Sequence, residues 1–302
     1  MSDPELTVVI PTYNRLETLR EVVPALLRQN VRAERYEIVI ADSLSNDGTA
    51  EYLGSLARTY PRLRHLPGPY NGRAMARNAG IAAARGSVVL FTDSDIIASP
   101  DLVERHLSHH ARRTNIAVVG QELQVDTLAQ YEYLRANADA RRPLHPPGRK
   151  RLSWLYFMTG NASVRKADLD RVGRFDENFT GYGHEDLELG YRLERAGVRI
   201  LYDAQATNYH WQFIPYDEQK GKMELAGRST VRFFRKHPSF VVRLRLGMTP
   251  PSLWLYERLR RRPALVGALE RRGAERAGFA RNVAYQYHYL SGVAAALGSE
   301  RV

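Results

Sequence analysis

The sequence of 302 residues contains no cysteine. This absence excludes disulfide bonds and thiolate metal sites, so any metal ion must be held by oxygen or imidazole ligands. The chain also lacks an uninterrupted apolar run of about 20 residues, the length that a membrane-spanning helix needs. Its first residues, MSDPELTVVIPTYNR, lack the basic and apolar regions of a signal peptide. We therefore expect a cytoplasmic protein, with peripheral contact at the inner face of a membrane left open.

Acidic residues are fewer than basic residues. Forty-four Lys and Arg stand against 33 Asp and Glu, which gives a net charge of +11. By itself this balance indicates an anionic partner and leaves nucleic acid, a nucleotide, an acidic polymer and an anionic membrane open. The arginines cluster late in the chain and are not interleaved with an aromatic recognition motif. We therefore expect no nucleic-acid partner.

The first 120 residues alternate between strand and helix patterns. Short β-branched runs predict strands over residues 6–11, 36–42 and 88–92, with a weaker strand at 62–66. Helical spacing predicts helices over 15–29, 48–60 and 72–86, the second with Asp47 as its N-cap and the last ending at Gly86. Apolar strands separated by helices predict an α/β fold with a mostly parallel sheet flanked by helices.

The rest of the chain divides into two further parts. We predict that residues 1–120 form one half of an α/β domain and that residues 121–216, where the pattern is irregular, form the second half of the same domain. Within this half lie a helix over 185–197, two strand-like pieces, VRILYD and ATNYHW, and a Pro- and Arg-rich loop around 141–151. Residues 217–302 predict a basic, helical C-terminal extension.

Polar residues gather where the predicted strands end. Pro11 and Thr12 close the first strand, Asp42 closes the second, and Asp93 and Asp95 follow the apolar run SVVLF. Ligands of parallel α/β sheets bind beyond the carboxyl ends of the strands. This convergence predicts one site at that edge of the sheet.

Asp93 and Asp95 admit two interpretations. An Asp-x-Asp pair is often only a solvated turn or a helix cap. At the tip of a buried strand, however, alternation would place both side chains on one side of the chain, where both could face one cation. Carboxylate oxygens suit Mg²⁺ or Mn²⁺, ions that commonly hold substrate phosphates.

Three further groups carry a functional and a structural interpretation each. Asp42 is able to accept a nucleobase N–H, or simply to belong to a polar turn. Arg73 and Arg77 share one helix face, which suits either a diphosphate or solvent. Glu185 and Asp186 begin a helix behind a glycine-rich turn, where acidic residues complement the helix dipole or act as a general base.

His210, in the stretch NYHW, is one of nine histidines. Most such residues are ordinary core or surface histidines, and the alternative is that His210 joins the carboxylate pair on a metal ion.

Together these motifs resemble the GT-A glycosyltransferases of family 2, an inverting, nucleotide-sugar-dependent family. The resemblance runs over residues 6–211, through VVIPTYNR, DSLSNDGT, NGRAMARNAG, FTDSD, the stretch TGNASVRKADLDRVGRFDENFTGYGHEDLELGYRL, and NYH, in the family's order and spacing. It implies a GT-A, Rossmann-like fold with a C-terminal helical extension, in which residues 1–120 form the nucleotide-sugar-binding half and residues 121–216 the acceptor-binding and catalytic half. The linked occurrence of these motifs makes the resemblance specific. The chain departs from the common DDGS form by having DSLS at 42–45. This departure affects the prediction for the nucleobase more than the prediction for the fold.

The resemblance also implies roles for individual residues. Asp186 would be the catalytic base, while Gly183, His184 and Glu185 would hold the acceptor. Metal would be bound by Asp95, helped by Asp93 and His210. The nucleotide and donor sugar would be bound by Pro11, Thr12, Tyr13, Arg15, Asp42, Arg73, Arg77, Asp93, Ser94, Gly160 and Asn161.

The implied reaction transfers a hexose from a nucleotide sugar, expected to be a UDP-sugar, to a hydroxyl group of a glycan or a lipid-linked saccharide. A divalent cation, Mn²⁺ or Mg²⁺, would stabilise the diphosphate leaving group. A single displacement would invert the anomeric carbon without a covalent enzyme intermediate. Such a reaction belongs to polysaccharide biosynthesis.

Two other functions fit parts of the pattern. A nucleotidylyltransferase would carry a Gly-x-Gly-x-Arg turn after the first strand, where this chain has PTYNR. A non-catalytic nucleotide- or carbohydrate-binding relative would have lost its acidic residues, whereas Asp93, Asp95 and Asp186 are present.

The C-terminal region and the loop at 141–151 add predictions about partners. The run RLRRRP at 258–263, beside LWLY, is either a solvated helix end or a surface that binds anionic lipid. The loop is a candidate acceptor lid. The sequence leaves the oligomeric state open, a homodimer included.

Overall fold

The computed structural model describes residues 3–141 and 150–298. Their contacts group into two compact units. The first contains the residues up to Thr180 together with Glu185–Phe213, and the second contains Gly181–His184 together with the residues from Ile214 onward. The predicted lid falls mostly on residues 142–149, which lie outside the described residues.

Four parallel strands form one half of the sheet in the first unit. They are β1 (Leu6–Thr12), β2 (Tyr36–Asp42), β3 (Leu63–Pro67) and β4 (Val88–Phe91), in the order β3-β2-β1-β4. Every residue of β1, β2 and β4 is buried, because helices cover both faces of a parallel sheet. The predicted α/β sheet is confirmed, including the weak third strand.

The sheet continues beyond β4 with mainly antiparallel pairs. Its other strands are β5 (Ile96–Ala98), β6 (Ile116–Val125), β7 (Arg151–Leu152), β8 (Ala162–Arg165) and β9 (Arg199–Trp211). The order is β4-β8-β6-β9-β5, with β7 on β9, and among the described residues of this half only the β6–β9 pair is parallel. The predicted boundary between residues 120 and 121 falls inside β6, so the division into two halves stays a prediction about function.

The two strand-like pieces predicted near residue 205 are a single strand. β9 pairs with β6 along its whole length, but the register shifts between Gly120, opposite Asp203, and Gln121, opposite Thr207. Residues 204–206 of β9 therefore form a bulge. Bulges often re-aim side chains beside functional sites.

Seven α-helices lie in the described part of the first unit. They are α1 (Leu16–Leu27), α2 (Thr49–Thr59), α3 (Arg73–Ala83), α4 (Leu102–Arg112), α5 (Leu128–Ala136), α6 (Lys166–Val172) and α7 (Glu185–Arg195). The apolar stripe of α1, with Leu19, Val22, Val23 and Leu26, packs into the main core against β1 and β2. Helix α3 approaches β1 closely at Gly80, where a Cβ atom would lie 2.3 Å from a Val9 methyl carbon.

Two predicted helix ends were wrong. Gly48, with φ of 93°, caps α2, and the Asp47 carboxylate instead accepts the backbone N–H groups of Thr49 and Leu16. The Asp47 side chain, one position before the cap, therefore links the first turns of α1 and α2. Helix α3 ends at Ala83 rather than Gly86, because the backbone already turns to an extended conformation at Ala84.

The second unit is helical, as predicted for residues 217–302. Its helices are α8 (Tyr216–Lys236), α9 (Phe240–Arg245), α10 (Pro250–Arg260), α11 (Pro263–Glu275) and α12 (Phe279–Gly298). Helices α8 and α12 approach each other closely at Gly227, where a Cβ atom would lie 2.0 Å from the Tyr289 carbonyl oxygen. The lack of a side chain at this position allows the close packing. None of the helices in the described part of the chain combines the length and apolar character that crossing a bilayer requires.

Candidate active site

The carboxyl ends of β1, β2 and β4 bring several predicted residues together. Thr12 and Asp42 are direct neighbours across the parallel ladder, and so are Pro11 and Ala41. Asp93 stands two positions after the last residue of β4, and β4 is the other neighbour of β1. The predicted convergence at this sheet edge therefore follows from the strand order.

Asp42 is fully buried and is held on both oxygens. Its Oδ1 accepts the backbone N–H and the hydroxyl of Ser45, at 3.1 and 2.6 Å. Its Oδ2 lies 3.1 Å from the Nε2 atom of His65, the central residue of β3. The carboxylate is therefore fixed at the strand tip, and His65 is a neighbour that the sequence reading missed, although it stands in the predicted weak strand.

Other residues expected on the nucleotide side stand at or shortly after the ends of β1 and β4 in the chain. Tyr13 is exposed, whereas Thr12 and Ser94 are buried. Burial raises the pKa of the Asp95 carboxyl group, but His210 and, to a smaller extent, the charges of Arg15 and Arg73 bring it below its ordinary value. These arginines therefore contribute positive potential beside the strand tip, as an anionic donor requires.

One buried arginine joins the two predicted halves of the site. Arg77 is 2% exposed, and its guanidinium donates to Asp93 Oδ1 at 2.7 Å and to Glu185 Oε1 at 3.1 Å. The ring of Phe175 lies 5.6 Å from the guanidinium carbon. Burial alone would lower the pKa of Arg77, but the charges of Asp93 and Glu185 raise it above its ordinary value. Arg77 is thus a permanent cation between carboxylates 92 positions apart.

Asp186 follows Glu185 in the first turn of α7. Burial and, to a smaller extent, the negative charge of Glu185 raise its pKa to about 7, while Arg77 acts in the opposite direction. One oxygen accepts the Leu187 backbone N–H at 2.8 Å. A carboxylate with a pKa near neutrality is able to take up a proton at physiological pH, as a general base must.

His210 lies between two carboxylates on the other side of the strand tip. Its Nε2 is 3.5 Å from Asp95 Oδ1, and its Nδ1 is 3.2 Å from Glu122 Oε1. Burial would lower the pKa of His210, but the two carboxylates raise it to about 10. Glu122 was missed by the sequence reading; the signal was a charged residue inside the apolar run of β6.

The donor atoms at this edge suit a hard divalent cation, because carboxylate and imidazole groups bind Mn²⁺ and Mg²⁺. Within residues 3–141 and 150–298, however, no three His, Asp or Glu side chains converge closely enough to hold an ion. Strand β4 ends at Phe91, so the alternation expected for Asp93 and Asp95 does not apply. Asp93 faces Arg77 and Asp95 faces His210. Metal binding by these residues stays a prediction.

Gly160 lies against Glu122, and Asn161 is the next residue in the chain. A Cβ atom at Gly160 would lie 2.2 Å from Glu122 Oε2, so this position admits only glycine unless Glu122 moves. The Asn161 amide uses both N–H groups on the carbonyls of Gln121 and Ala206, and its oxygen faces His106. The Asn161 side chain therefore bonds to the backbone of β6 and β9 and supports the candidate site through these strands.

Gly183 and His184 are the predicted acceptor residues that belong to the second unit. His184 has φ of 73°, and its Nε2 lies 3.1 Å from Thr230 Oγ1. Burial lowers its pKa to about 4, so its imidazole is neutral at physiological pH. Their role in acceptor binding stays a prediction.

Comparison with family models gives two matches. Residues 7–173 match the model described as glycosyl transferase family 2, and residues 145–210 match the N-terminal domain of galactosyltransferase. The first match covers more than half of the chain.

Curated relatives are longer than this chain. It is 32% identical over 270 residues to validoxylamine A glucosyltransferase of Streptomyces hygroscopicus subsp. jinggangensis, with 80% of this chain and 63% of the relative covered. It is 28% identical over 247 residues to chondroitin synthase of Escherichia coli, with 68% and 34% covered.

Solved structures confirm the GT-A type of fold. A mannosyltransferase from Pyrobaculum calidifontis, in complex with GDP-Man and Mn²⁺, superposes with a TM-score of 0.66 at 18% identity over 100% of this chain and 89% of that one. S. aureus TarS residues 1–349 in complex with UDP superpose with a TM-score of 0.56 at 17% identity, covering 98% and 92%. Identities this low support the fold alone.

Proposed function

Because the chain belongs to glycosyl transferase family 2, we propose that it transfers a sugar from a nucleoside-diphosphate sugar to a hydroxyl group. The observation that carries this proposal is the Arg77 bridge. It joins Asp93, on the expected nucleotide side, to Glu185, on the expected acceptor side, next to a carboxylic acid with a raised pKa. Donor and acceptor groups held this close would allow a direct transfer.

The reaction proposed is a single displacement with inversion. The acceptor oxygen forms a bond to the anomeric carbon while the bond from that carbon to the diphosphate oxygen breaks, and its electron pair leaves with the nucleoside diphosphate. Asp186 takes the proton of the acceptor hydroxyl. Arg77 holds Glu185 and Asp93 in place and adds positive charge near the leaving group.

A divalent cation, Mn²⁺ or Mg²⁺, is proposed as the cofactor, and the Pyrobaculum neighbour was solved with Mn²⁺. Asp95 and His210 would hold it, with Asp93 nearby. When bound, the ion would neutralise charge on the diphosphate leaving group. His210, which the two carboxylates keep protonated, would have to release a proton to bind the ion.

We propose a UDP-sugar with a hexosyl group as donor. One structural neighbour carries UDP and the other GDP-Man, and glucosyltransferase and chondroitin synthase are among the names of the relatives. A glycan or lipid-linked saccharide is the proposed acceptor, and polysaccharide assembly at the cytoplasmic side of a membrane is the proposed setting.

The decisive experiment is a screen of nucleotide sugars for hydrolysis with Mn²⁺ and without acceptor. The active donor is then used to compare the parent protein with Asp186→Asn. We expect turnover of that donor to be lost in Asp186→Asn, while the dissociation constant for the nucleotide stays nearly the same. Asp170→Asn, the same exchange at an exposed position, is the matched control. Full transfer by Asp186→Asn would refute the base assignment, and nucleotide binding without turnover of any donor would favour a non-catalytic relative.

We also propose peripheral contact of the second unit with an anionic membrane. Residues 232–262 contain nine Lys and Arg and one acidic residue, Glu257, a net charge of +8 out of +11 for the chain. Helices α9 and α10 expose apolar side chains among these charges. More than half of the surface is exposed at each of Phe240, Val241, Leu244, Trp254 and Leu255. Exposed aromatic and aliphatic groups beside arginines are what an anionic lipid surface binds.

This contact is tested by flotation with phosphatidylcholine vesicles, with and without phosphatidylglycerol. We expect binding only with the anionic lipid, and a loss of binding for Trp254→Ala. Phe279→Ala, an exposed aromatic residue of the same unit outside residues 232–262, should bind as the parent does. Equal binding to both vesicles, or none, would refute the proposal.

A further inference from the structure

Four polar side chains lie buried together where helix α4 crosses the sheet. His106, His110, Asn161 and Ser163 are each at most 2% exposed. Buried polar groups are destabilising unless they are hydrogen-bonded, so a cluster of this kind is retained only when its bonds are satisfied. None of these imidazoles belongs to the candidate active site described above.

The bonds of this cluster define where each proton must lie. Asn161 donates both amide N–H groups to the Gln121 and Ala206 carbonyls, at 3.2 and 2.8 Å, so its oxygen is an acceptor. His106 Nε2, 2.9 Å from that oxygen, must therefore carry the proton. Burial lowers the pKa of His106 to about 4, so its ring is neutral and its Nδ1 accepts a hydrogen bond.

The remaining protons follow in turn. His106 Nδ1 lies 2.8 Å from Ser163 Oγ, so the serine hydroxyl donates to it. His110 Nε2 is also 2.8 Å from Ser163 Oγ. Because the serine proton is already used, His110 must donate through Nε2–H. Its own Nδ1 is buried without a hydrogen-bond partner, and burial lowers the His110 pKa to about 3, which agrees with a neutral ring.

This ordered chain of bonds ends at the β9 bulge. Asn161 bridges Gln121, the first residue after the register shift in β6, and Ala206, the last residue of the bulge. Gly120 makes room for the bridge, because a Cβ there would lie 2.2 Å from the Ala206 oxygen and 2.4 Å from Asn161 Nδ2. Helix α4 also contacts the residue before the bulge, since the Asp203 carboxylate accepts a hydrogen bond from Arg105 and lies beside His109.

The bulge sets the register of the last part of β9. Beyond it, Asn208 donates to the Gly160 carbonyl at 2.7 Å, and His210 lies between Asp95 and Glu122. Both residues are on the same face of the strand because they are two positions apart. A slip of one residue would turn both side chains to the other face.

We infer that His106 is a positioning residue: through Asn161 it holds the β9 bulge in register and so places His210 beside Asp95 and Asn208 beneath Gly160. The inference rests on the proposed function only for its catalytic consequence. The hydrogen-bond order and the position of His210 are properties of the protein without substrate.

The first test reads the tautomers directly. Long-range ¹H–¹⁵N NMR of the metal-free full chain, labelled at histidine, should show His106 and His110 as neutral Nε2–H tautomers at pH 7. An Nδ1–H tautomer or an imidazolium at His106 would overturn the hydrogen-bond order, whatever the activity of the protein.

The second test uses two isosteric variants. The amide nitrogen of glutamine can take the place of His106 Nε2 and donate to Asn161, while the amide of asparagine reaches only the Nδ1 position. His106→Gln should therefore keep the His210 ring signals and nucleotide affinity close to those of the parent. His106→Asn should shift the His210 signals, weaken Mn²⁺-dependent nucleotide binding by about 10- to 100-fold and raise the donor KM more than it lowers kcat.

Melting temperature serves as the control for a merely structural role. Leu53→Ala, in the core at α2, should reduce stability without moving the His210 signals. Unchanged His210 signals in His106→Asn, or a larger defect in His106→Gln than in His106→Asn, would overturn the inference. If the NMR results agree and no donor is turned over, the proposed function fails and the positioning role stands.

Discussion

Replacing Arg77 with methionine tests the bridge between the two halves of the site. Methionine fills a similar volume but removes the positive charge from a position that is 2% exposed. Glu185 Oε1 would lose its partner at 3.1 Å, and its Oε2 is already buried without one. The variant would therefore bury an uncompensated carboxylate, one of the few changes expected to destabilise a protein severely.

The size of the effect follows from the exposure of the two carboxylates. Removing one partner of a buried ion pair is destabilising by about 3–5 kcal/mol. The Asp93 side chain is 25% exposed and can be hydrated, whereas that of Glu185 is 7% exposed. We therefore expect a loss near the lower end, roughly 3 kcal/mol, which lowers the melting temperature by roughly 6–12 °C for a domain of this size.

Urea unfolding followed by circular dichroism measures this loss. Arg73→Met is the matched control, because Arg73 lies one turn earlier in α3 and is exposed; its effect should be within about 0.5 kcal/mol. The double variant Arg77→Met/Glu185→Gln should regain much of the stability, since glutamine leaves no buried charge. A loss below about 1 kcal/mol in Arg77→Met, or no recovery in the double variant, would contradict the bridge.

Three further predictions concern the same site. Asp95→Ala should weaken nucleotide binding in calorimetry with Mn²⁺ but not without it, and an equal loss in both would place Asp95 outside the metal site. Since the folded protein raises the Asp186 pKa from 3.8 to about 7, it binds that proton more tightly than the unfolded chain, and stability decreases between about pH 4 and 7. Asp186→Asn should remove this decrease, so urea unfolding should show it more stable than the parent at pH 8 and equal near pH 4; a difference independent of pH would contradict the raised pKa. Gly160→Ala should displace Glu122 and reduce donor affinity, measured as a rise in the donor KM with little change in kcat, and an unchanged KM would show that Glu122 moves freely.

Much of the fold was predictable because it depends on local patterns. The parallel strands β1, β2 and β4 are apolar runs that end in polar residues, and a ladder of such strands brings their ends together. Helix α7 was equally clear from its apolar spacing and the glycine that follows. Both features follow from side-chain periodicity, which is written in the order of the residues.

The remaining features depend on contacts between distant segments. The predicted break near residue 205 is a bulge within one strand, because Asn161, 45 positions away from Ala206, satisfies its backbone. Glu122 and His65 were missed because a single charged or polar residue within a strand does not by itself identify a site. They join the candidate site only when β6 and β3 lie beside β9 and β2.

The residue types at the strand ends can be read from the order of amino acids, and they indicate the family and the edge of the sheet where the candidate site lies. How those residues pair depends on the folded chain. Asp93 and Asp95, one residue apart, face different cations, Arg77 and His210. Periodicity acts within a segment, whereas burial and charge pairing depend on which segments meet, and that is a property of the folded chain.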